Sequence, residues 1–581
     1  MAKEPDIERI QQDLNDYLSK KYGRKISFAH LDPIQEPAGE KVDDSEQKTK
    51  SQELVLDFSM KPQELKSYLD EYLVKQEEAK EVLATKICTH FNRIKRFELQ
   101  QKQPHIESVG EIKNNVIMIG PTGVGKTFLI KLIARKIGVP FVKGDATKFS
   151  ETGYVGGDVE DLVRDLVHEA NGNIALAQFG IIYLDEVDKI ASSPNLLGPD
   201  VSRSGVQRAL LKPMEETEVD LKVPHDFVSQ MEAVVEFQKT GKREKKKIST
   251  KHILFIMSGA FSGLEEIVRK RLHQQDLGFK AAIKLKHERI EYLHQVRAED
   301  LIQYGFESEF IGRLPVITVF EHLEVEDLYR ILCSPKNSII SGKKRDFKAY
   351  GIDLHFEDEA LQLIAQNASL ERTGARGLVS ALERTLAKFE HVLPSTSIAY
   401  LVVTSAMVRN PGDELKKLLE NPSAPQQKAH FERIKAQEET ELQLYIHRKS
   451  TEYSEKYGLS LSEQRIRVIT QRSIQERIDP EAIMMEMQIV YHALRTFENS
   501  FVEKNDITIS FSDEACDWLI QKVWQDQVEP LAFLKQSYQN YEHGLKLIRE
   551  KTGKDHFSIP PEGIEEPENF LNKLIREIYH D

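Results

Sequence analysis

A glycine-rich segment, Gly120-Pro-Thr-Gly-Val-Gly-Lys-Thr127, constrains the fold of this 581-residue chain more than any other feature. It directly follows the apolar run Val116–Ile119 and precedes an amphipathic segment that begins at Phe128. Glycines at these spacings let backbone N–H groups turn toward phosphates, and the amino end of the following helix adds a positive dipole. The pattern therefore predicts a strand, a phosphate-binding loop and a helix within an α/β domain.

The residues of this loop have separate expected roles. Lys126 reaches the terminal phosphates of a nucleotide such as ATP, and the Thr127 hydroxyl binds Mg²⁺. We therefore expect the nucleotide site to include the whole loop and the residue after it: Gly120, Pro121, Thr122, Gly123, Val124, Gly125, Lys126, Thr127 and Phe128.

A second apolar run, Ile181–Leu184, ends in the two acids Asp185 and Glu186. We expect Asp185 to hold the magnesium shell and Glu186 to orient and polarise the attacking water. An ordinary buried strand with a solvated end has the same pattern. Because a phosphate loop precedes this strand in the chain, the hydrolytic interpretation is favoured.

The order of the elements predicts the fold class. From about residue 61 to 403, short apolar strands alternate with amphipathic helices, which predicts an α/β fold: a parallel sheet with helices on both faces. We expect five segments: an N-terminal helical appendage and linker (1–60), a large α/β ATPase domain (61–335), a small helix-rich lid (336–410), a helical extension (411–505) and a C-terminal domain (506–581).

Two of these segments have open interpretations. The N-terminal helix either docks substrates or adaptors or packs on the next domain. The C-terminal domain opens with Ile507–Ala515, which echoes Ile352–Ala360 in the lid. It is either a degenerate copy of the lid or simply a strand followed by a capped helix, a common local pattern.

Composition excludes several classes of protein. With 93 acidic and 80 basic residues, the net charge is -13, which disfavours a general nucleic-acid binder. Three cysteines, Cys88, Cys333 and Cys516, are too few and too far apart for a disulfide framework or a four-thiolate zinc site. We expect a cytoplasmic protein without a membrane span. Peptidase motifs such as HExxH are absent, so we do not expect the chain to cut peptide bonds.

Six blocks of sequence resemble, in order, those of the ClpX and HslU unfoldases of the AAA+ class. These blocks are Thr152–Val159, Gly180–Ile190, Gly198–Gln207, Ser258–Phe261, Glu309–Pro315 and Thr373–Leu378. The resemblance covers about residues 61–403. It implies a large α/β domain, a lid, an adenine pocket between them, and a ring, with a hexamer expected, that hydrolyses ATP to pull protein substrates through a central pore.

The resemblance also assigns residues around the nucleotide. It implies that Leu73 and Val74 contact adenine, although Lys75 stands where the family has glycine. Arg313 matches the arginine finger that acts on the nucleotide of a neighbouring subunit, and Arg376 matches the lid arginine that senses the terminal phosphate. Ser258 lies where a first sensor is expected, and the sequence leaves its role open.

Three further segments are identified by the same resemblance. Tyr154 and Val155 match the pore loop that grips the translocating polypeptide. Gly241–Lys247 matches a basic loop at the pore entrance. Leu277, Gly278 and Phe279 match the plug that binds clefts of the ClpP peptidase.

The chain also departs from these families. It has no cysteine before Cys88 to match the zinc domain of ClpX, so no zinc is expected, and the region after residue 412 has no counterpart. Three functions therefore remain open: an unfoldase that feeds a ClpP-type peptidase, a remodelling chaperone without a protease, and a nucleotide-binding scaffold. A DNA-directed motor is disfavoured by the acidic balance, and no nucleic acid partner is expected.

Overall fold

The computed structural model describes residues 58–100, 113–150, 157–192, 201–221, 247–276, 292–336, 338–421, 425–538 and 541–579. All of them belong to one compact unit, Leu54–Asp581. The predicted N-terminal helix lies outside the described residues. Among the helices that are described, none combines the length and apolar character needed to cross a bilayer.

A five-stranded parallel sheet forms the centre of the first half of the chain, in the order β2-β3-β6-β1-β7. Its strands are β1 (Val116–Ile119), β2 (Phe141–Asp145), β3 (Ile181–Asp185), β6 (Leu254–Gly259) and β7 (Val316–Val319). In register, Val116 of β1 pairs with Ile256 on one side and with Val316 on the other. The strand that leads into the phosphate loop therefore lies inside the sheet, between β6 and β7.

Helices cover both faces of this sheet. They are α1 (Pro62–Asp70), α2 (Glu77–Gln100), α3 (Lys126–Ile137), α4 (Asp161–Glu169), α5 (Ile174–Ala177), α6 (Val201–Met214), α7 (Leu264–Asp276), α8 (Ala298–Tyr304) and α9 (Ser308–Gly312). A separate antiparallel pair joins β4 (Glu218–Asp220) to β5 (Lys247–Ser249).

Alternate residues of β1 enter two different cores, as the pleat of a strand requires. Ile117 and Ile119 pack into one buried cluster, whereas Val116 and Met118 pack into the other. The prediction of a parallel sheet with helices on both faces is confirmed.

A small helix-rich domain follows the sheet. Its elements are α10 (Val325–Cys333), α11 (Ser338–Ala349), β8 (Asp353–Phe356), α12 (Asp358–Leu370), α13 (Arg376–Val392), β9 (Tyr400–Val403), α14 (Ser405–Arg409) and α15 (Pro411–Glu420). Its core also contains Leu415 and Leu418, so the packing extends past the boundary predicted at residue 410. Pro411 sits in the first turn of α15, where proline favours the start of a helix, and no linker forms there.

The remaining residues form a mainly helical region with its own core, as the sequence predicts. Its elements are α16 (Pro425–Arg448), α17 (Ser450–Tyr457), α18 (Glu463–Glu476), α19 (Pro480–Asn505), β10 (Thr508–Phe511), α20 (Asp513–Asp526), α21 (Pro530–Ser537), α22 (Tyr541–Thr552), β11 (His556–Ile559), α23 (Pro561–Glu565) and α24 (Pro567–Tyr579). We call residues 425–579 the C-terminal region.

The end of the C-terminal region shares part of the lid's order of elements, although three helices (α20 to α22) lie between its two strands where the lid has two (α12 and α13). The pairs β8–β9 and β10–β11 are both parallel. Each pair is followed by a five-residue helix and then by a helix that begins at a proline, Pro411 or Pro567. This shared order favours the interpretation of residues 506–581 as a degenerate lid copy, which remains a prediction along with the other domain limits.

Candidate functional site

The phosphate loop lies at the carboxyl end of β1 and is enclosed from two sides. Gly123 and Gly125 have φ angles of +77° and +96°, which side-chain-bearing residues rarely adopt. A Cβ atom on Gly125 would lie 2.5 Å from Leu73 Cδ1, and one on Gly123 would lie 2.1 Å from the Thr373 carbonyl oxygen. The loop backbone is therefore in close contact with both the expected adenine segment and the lid.

Lys126 is buried at the first residue of α3. Its Nζ donates hydrogen bonds to the carbonyl oxygens of Gly120 (2.6 Å) and Pro121 (2.7 Å), within its own loop. Burial lowers the pKa of Lys126 to about 8, although the negative charges of Asp185 and Asp188 oppose this shift. A phosphate group would give this cation the anionic partner that its buried position requires. The loop therefore fits a bound nucleotide.

A chain of hydroxyl groups connects the two predicted magnesium ligands, Thr127 and Asp185. Thr127 Oγ1 donates to the hydroxyl of Tyr183 (3.0 Å), which lies 2.6 Å from Ser258 Oγ. Ser258 Oγ in turn donates to Asp185 Oδ1 at 2.7 Å. Burial raises the pKa of Tyr183 to about 12, so its hydroxyl keeps its proton and remains available for this chain of hydrogen bonds.

The Asp185 carboxylate is held in its charged form. Its second oxygen forms an ion pair with Lys143 at 3.0 Å. Burial alone would raise the pKa of Asp185, but the hydrogen bonds from Ser258 and Lys143 outweigh burial and lower it. A carboxylate and a hydroxyl are the oxygen ligands that Mg²⁺ prefers. Asp185 and Thr127 therefore fit a magnesium site.

Sequence reasoning missed Tyr183 and Lys143 and left Ser258 without a role. The signal for Tyr183 was its hydroxyl within the otherwise apolar run of β3, because a buried hydroxyl needs a hydrogen-bond partner. Ser258 lies on β6, next to β3 in the sheet. Lys143 lies on β2 at the other side of β3, in register with Tyr183.

Glu186 differs from Asp185 in its environment. The residue is exposed and has a left-handed backbone with a φ of +58°. Its N–H donates to Asp185 Oδ1 at 3.2 Å. A left-handed conformation is uncommon for a residue with a side chain and is often found at functional sites. An exposed carboxylate next to the magnesium ligand fits the expected role of orienting water.

The expected adenine segment is attached to the connection between β7 and α10. Gln76 forms two hydrogen bonds with the backbone of Glu321, at 2.8 and 2.7 Å. Lys75 has a φ of +62° and forms ion pairs with Glu321 and Asp327, each at 3.4 Å. The left-handed backbone at Lys75 gives a physical reason why glycine suits this position, and the ion pairs offset part of its strain.

The lid contacts the phosphate loop directly. The N–H of Ala375 donates to the carbonyl oxygen of Gly123 at 2.9 Å. The next residue, Arg376, is exposed at the start of α13. Burial is the main cause of the lowered pKa of Lys126, and the positive charge of Arg376 lowers that pKa further. The two cations are therefore near each other. This position fits an arginine that interacts with the terminal phosphate.

Arg313 lies at the opposite end of the sheet from the phosphate loop. It precedes β7, whose Val316 pairs with Val116 at the start of β1, whereas the loop follows the end of β1. At about 3.3 Å per residue, the length of β1 alone separates the two by roughly 10 Å. Arg313 forms an ion pair with Glu215 at 2.5 Å in its own chain. The structure therefore does not bring Arg313 to the phosphate loop of the same chain.

Several predicted sites lie outside the described residues: Tyr154, Val155, Leu277, Gly278, Phe279 and residues 241–246. The residues that border the pore segment are described. Gly157 forms a parallel bridge with Phe149, and its N–H donates to the carbonyl oxygen of Lys148 at 3.0 Å. The residues on either side of positions 151–156 are therefore held together.

Comparisons with known proteins identify relatives of the sheet domain and the lid. Residues 112–317 match the model of the AAA domain (Cdc48 subfamily), and residues 324–389 match that of the C-terminal, D2-small domain of ClpB protein. The chain is 41% identical over 370 residues to the ATP-dependent Clp protease ATP-binding subunit ClpX of Treponema denticola, covering 62% of this chain and 85% of the relative. The ClpX subunits of Borrelia duttonii and Borrelia recurrentis are each 40% identical over 352 residues, covering 60% of this chain and 78% of the relative.

Proposed function

Because this chain belongs to the ClpX family of AAA+ ATPases, we propose that it is the unfoldase motor of a hexameric ring that feeds a ClpP-type peptidase. That the chain is a Clp-type ATPase follows from its family. The ring, the translocation of polypeptides and the peptidase are the proposed part.

One observation supports the assembly of several copies into a ring. The expected magnesium ligands, Thr127 and Asp185, lie with Lys126 at the carboxyl end of the sheet, whereas Arg313 lies beyond its amino end. An arginine that stabilises charge in phosphoryl transfer must reach the phosphates. Since Arg313 does not reach those of its own chain, a second copy of the chain would complete each site.

The residues around the loop have complementary roles in this proposal. Bound ATP with Mg²⁺ supplies the phosphoryl group and the positive charge that neutralises its oxygens. The loop N–H groups and Lys126 bind the phosphates, while Asp185 and Thr127 hold the metal shell. Glu186 orients water and accepts its proton, and Arg376 connects the lid to the terminal phosphate. Leu73 and Val74 border the adenine.

Protein translocation is supported by the resemblance of Tyr154 and Val155 to a pore loop, and by the bridge between Phe149 and Gly157 on either side of them. A large aromatic side chain provides a contact that needs no particular substrate sequence. Tyr154→Ala should leave ATP hydrolysis intact and abolish unfolding of a tagged folded protein. Tyr350→Ala, which removes a tyrosine that is 60% exposed on the lid, is the control and should unfold normally. Normal unfolding by Tyr154→Ala would contradict the pore-loop role.

A remodelling chaperone without a peptidase is the second candidate. The matched relatives cover about 60% of this chain, which leaves room for another way of engaging targets in the C-terminal region. Deleting Leu277–Phe279 separates the two functions. If the chain feeds a ClpP-type peptidase, the deletion should stop degradation and spare unfolding. If the intact chain unfolds proteins but never stimulates the peptidase, the chaperone function is correct.

A further inference from the structure

Five charged side chains form a continuous row between the nucleotide side of the ATPase domain and the C-terminal region. In order they are Lys449, Glu71, Lys336, Glu481 and Lys456, and each forms an ion pair with the next. We call them the charge row. Two carboxylates alternate with three ammonium groups, so each acid bridges two cations.

The members of the charge row come from distant parts of the sequence. Glu71 follows α1 and lies two residues before Leu73, the residue in contact with the phosphate loop. Lys336 lies in the connection between α10 and α11. Glu481 is in the first turn of α19, and Lys449 lies between α16 and α17, so both belong to the C-terminal region.

Lys336 is the centre of the charge row. Its side chain is only 4% exposed, and those of Glu71 and Glu481 are each 15% exposed. Its Nζ lies 3.4 Å from the hydroxyl of Tyr72 and 4.5 Å from the centre of that ring, so it also contacts the residue between Glu71 and Leu73. A cation this deeply buried depends on its anionic partners. Removing one carboxylate leaves the positive charge of Lys336 only partly compensated.

Glu481 is held by three groups. Besides Lys336 and Lys456, it accepts a hydrogen bond from the hydroxyl of Tyr457 at 2.6 Å. Burial alone would raise the pKa of Glu481, but these hydrogen bonds, first of all the one from Lys336, lower it to about 2. The carboxylate therefore stays charged under all ordinary conditions.

The C-terminal region is also fixed to the lid. Phe431 of α16 packs its ring 5.2 Å from that of His355 on β8 and 5.0 Å from that of Tyr400 on β9. Glu438, two turns further along α16, accepts a hydrogen bond from His355. The region that supplies Glu481 and Lys449 is thus attached to the lid on one side and to the segment beside the nucleotide on the other.

We propose that Glu481 and Lys449 are positioning residues for nucleotide binding, which hold the Glu71–Leu73 segment against the phosphate loop. Glu481 acts through Lys336, whereas Lys449 acts directly on Glu71. The C-terminal region would then contribute to ATP affinity without touching ATP. This inference rests on the proposed placement of adenine beside Leu73, and it goes beyond the unfoldase function because it concerns only nucleotide binding.

The test uses the full chain and a fluorescent ATP analogue. Glu481→Gln keeps the shape of the side chain and removes its charge. Of its contacts, the charged hydrogen bond with Lys336 is the one that leads to the Glu71–Leu73 segment, and its loss should raise both the Kd for the analogue and the KM for ATP about tenfold. The kcat should change by less than about twofold, because no residue that touches the reacting atoms is altered.

A matched control lies one turn and a half further along the same helix. Glu486→Gln removes a carboxylate that pairs with Arg472 at 2.6 Å, entirely within the C-terminal region. It should leave Kd and KM unchanged. Glu481→Asp keeps the charge and should recover part of the affinity. Equal losses in Glu481→Gln and Glu486→Gln would overturn the proposal, because they would indicate a general loss of stability.

A double mutant tests whether Glu481 affects nucleotide affinity through Lys336. Glu71→Gln and Glu481→Gln act on the same lysine, so their combined effect on Kd should be clearly smaller than the product of the two single effects. Independent effects, or wild-type affinity in Glu481→Gln, would overturn the proposal. Lys126→Ala should abolish binding in either case. If it does not, the assignment of the nucleotide site itself fails, which is a separate outcome.

Discussion

Replacing Glu438 by glutamine should weaken the attachment of the C-terminal region to the lid. The carboxylate accepts hydrogen bonds from Lys344 and from His355 Nδ1 (2.5 Å), and Arg477 lies 3.8 Å away. His355 Nε2 faces a donor, Arg477 Nη2, at 3.2 Å, so Nε2 must accept and Nδ1 must carry the proton. Burial lowers the pKa of His355, which agrees with this neutral tautomer.

The size of the expected loss in the free energy of unfolding follows from the cations that Glu438 neutralises. Removing one partner of a fully buried ion pair costs about 3–5 kcal/mol. One third of the Glu438 side chain is exposed, and Asp353 lies 3.6 Å from Arg477 and still compensates part of its charge. We therefore expect Glu438→Gln to lower the free energy of unfolding by about 2 kcal/mol, below the fully buried range.

Tryptophan fluorescence in urea measures this loss, because both tryptophans of the chain, Trp518 and Trp524, lie on α20 in the C-terminal region. Glu441→Gln is the control, since it makes the same change at an exposed position of the same helix. A loss below about 0.5 kcal/mol, within the range of ordinary surface substitutions, would refute the reasoning.

The difference in stability between wild-type protein and Glu438→Gln should also depend on pH. Burial alone would raise the pKa of Glu438, but the hydrogen bond from His355 and the charge of Lys344 outweigh burial and hold it well below its usual range. A depressed carboxyl pKa contributes stability above the unfolded value of about 4.3, and this contribution is lost as the pH falls below it. The stability difference between wild type and Glu438→Gln should therefore shrink below about pH 4.3. A constant difference down to pH 3 would contradict the assignment.

Two further experiments test the site itself. Gly123→Ala combines a left-handed backbone, at a cost of about 1–2 kcal/mol, with a collision against the lid, and it should lower ATP hydrolysis. Gly138→Ala shares the left-handed backbone without a neighbour within 4 Å and should hydrolyse ATP normally, so equal losses would exclude the lid contact as the cause. Arg313→Ala and Lys126→Ala should each be inactive alone and partly active when mixed, because one supplies the finger to the intact loop of the other. Phosphate release from mixtures measures this, and no recovery would contradict a finger that acts between subunits.

The local chemistry of the nucleotide site could be predicted from the sequence, because neighbouring residues carry it. The phosphate loop and the acids at the end of β3 each depend on a strand and the few residues around its carboxyl end. The hydroxyl chain could not be predicted, because it requires Tyr183 and Ser258 to meet across neighbouring strands that lie 75 residues apart. Which strands become neighbours is a property of the whole sheet.

The charge row was beyond sequence reasoning for the same physical reason. Nothing in the sequence around them distinguishes Glu71, Lys336, Lys449 and Glu481, because a lysine or glutamate is usually a solvated surface residue. Only the packing of the C-terminal region against the connection after α10 buries them together. Lys75 is an intermediate case, since its departure from the family glycine was visible and its left-handed backbone was not.

The unfolding of a folded fluorescent protein with an unstructured tail tests the central claim most directly. Wild-type protein and Glu186→Gln are compared with ATP, using a series of tails that differ in length and charge. We expect wild type to extinguish the fluorescence of at least one substrate, and Glu186→Gln to bind ATP and assemble but neither hydrolyse ATP nor unfold that substrate. Normal hydrolysis by Glu186→Gln, or hydrolysis by wild type without unfolding of any substrate, would contradict it.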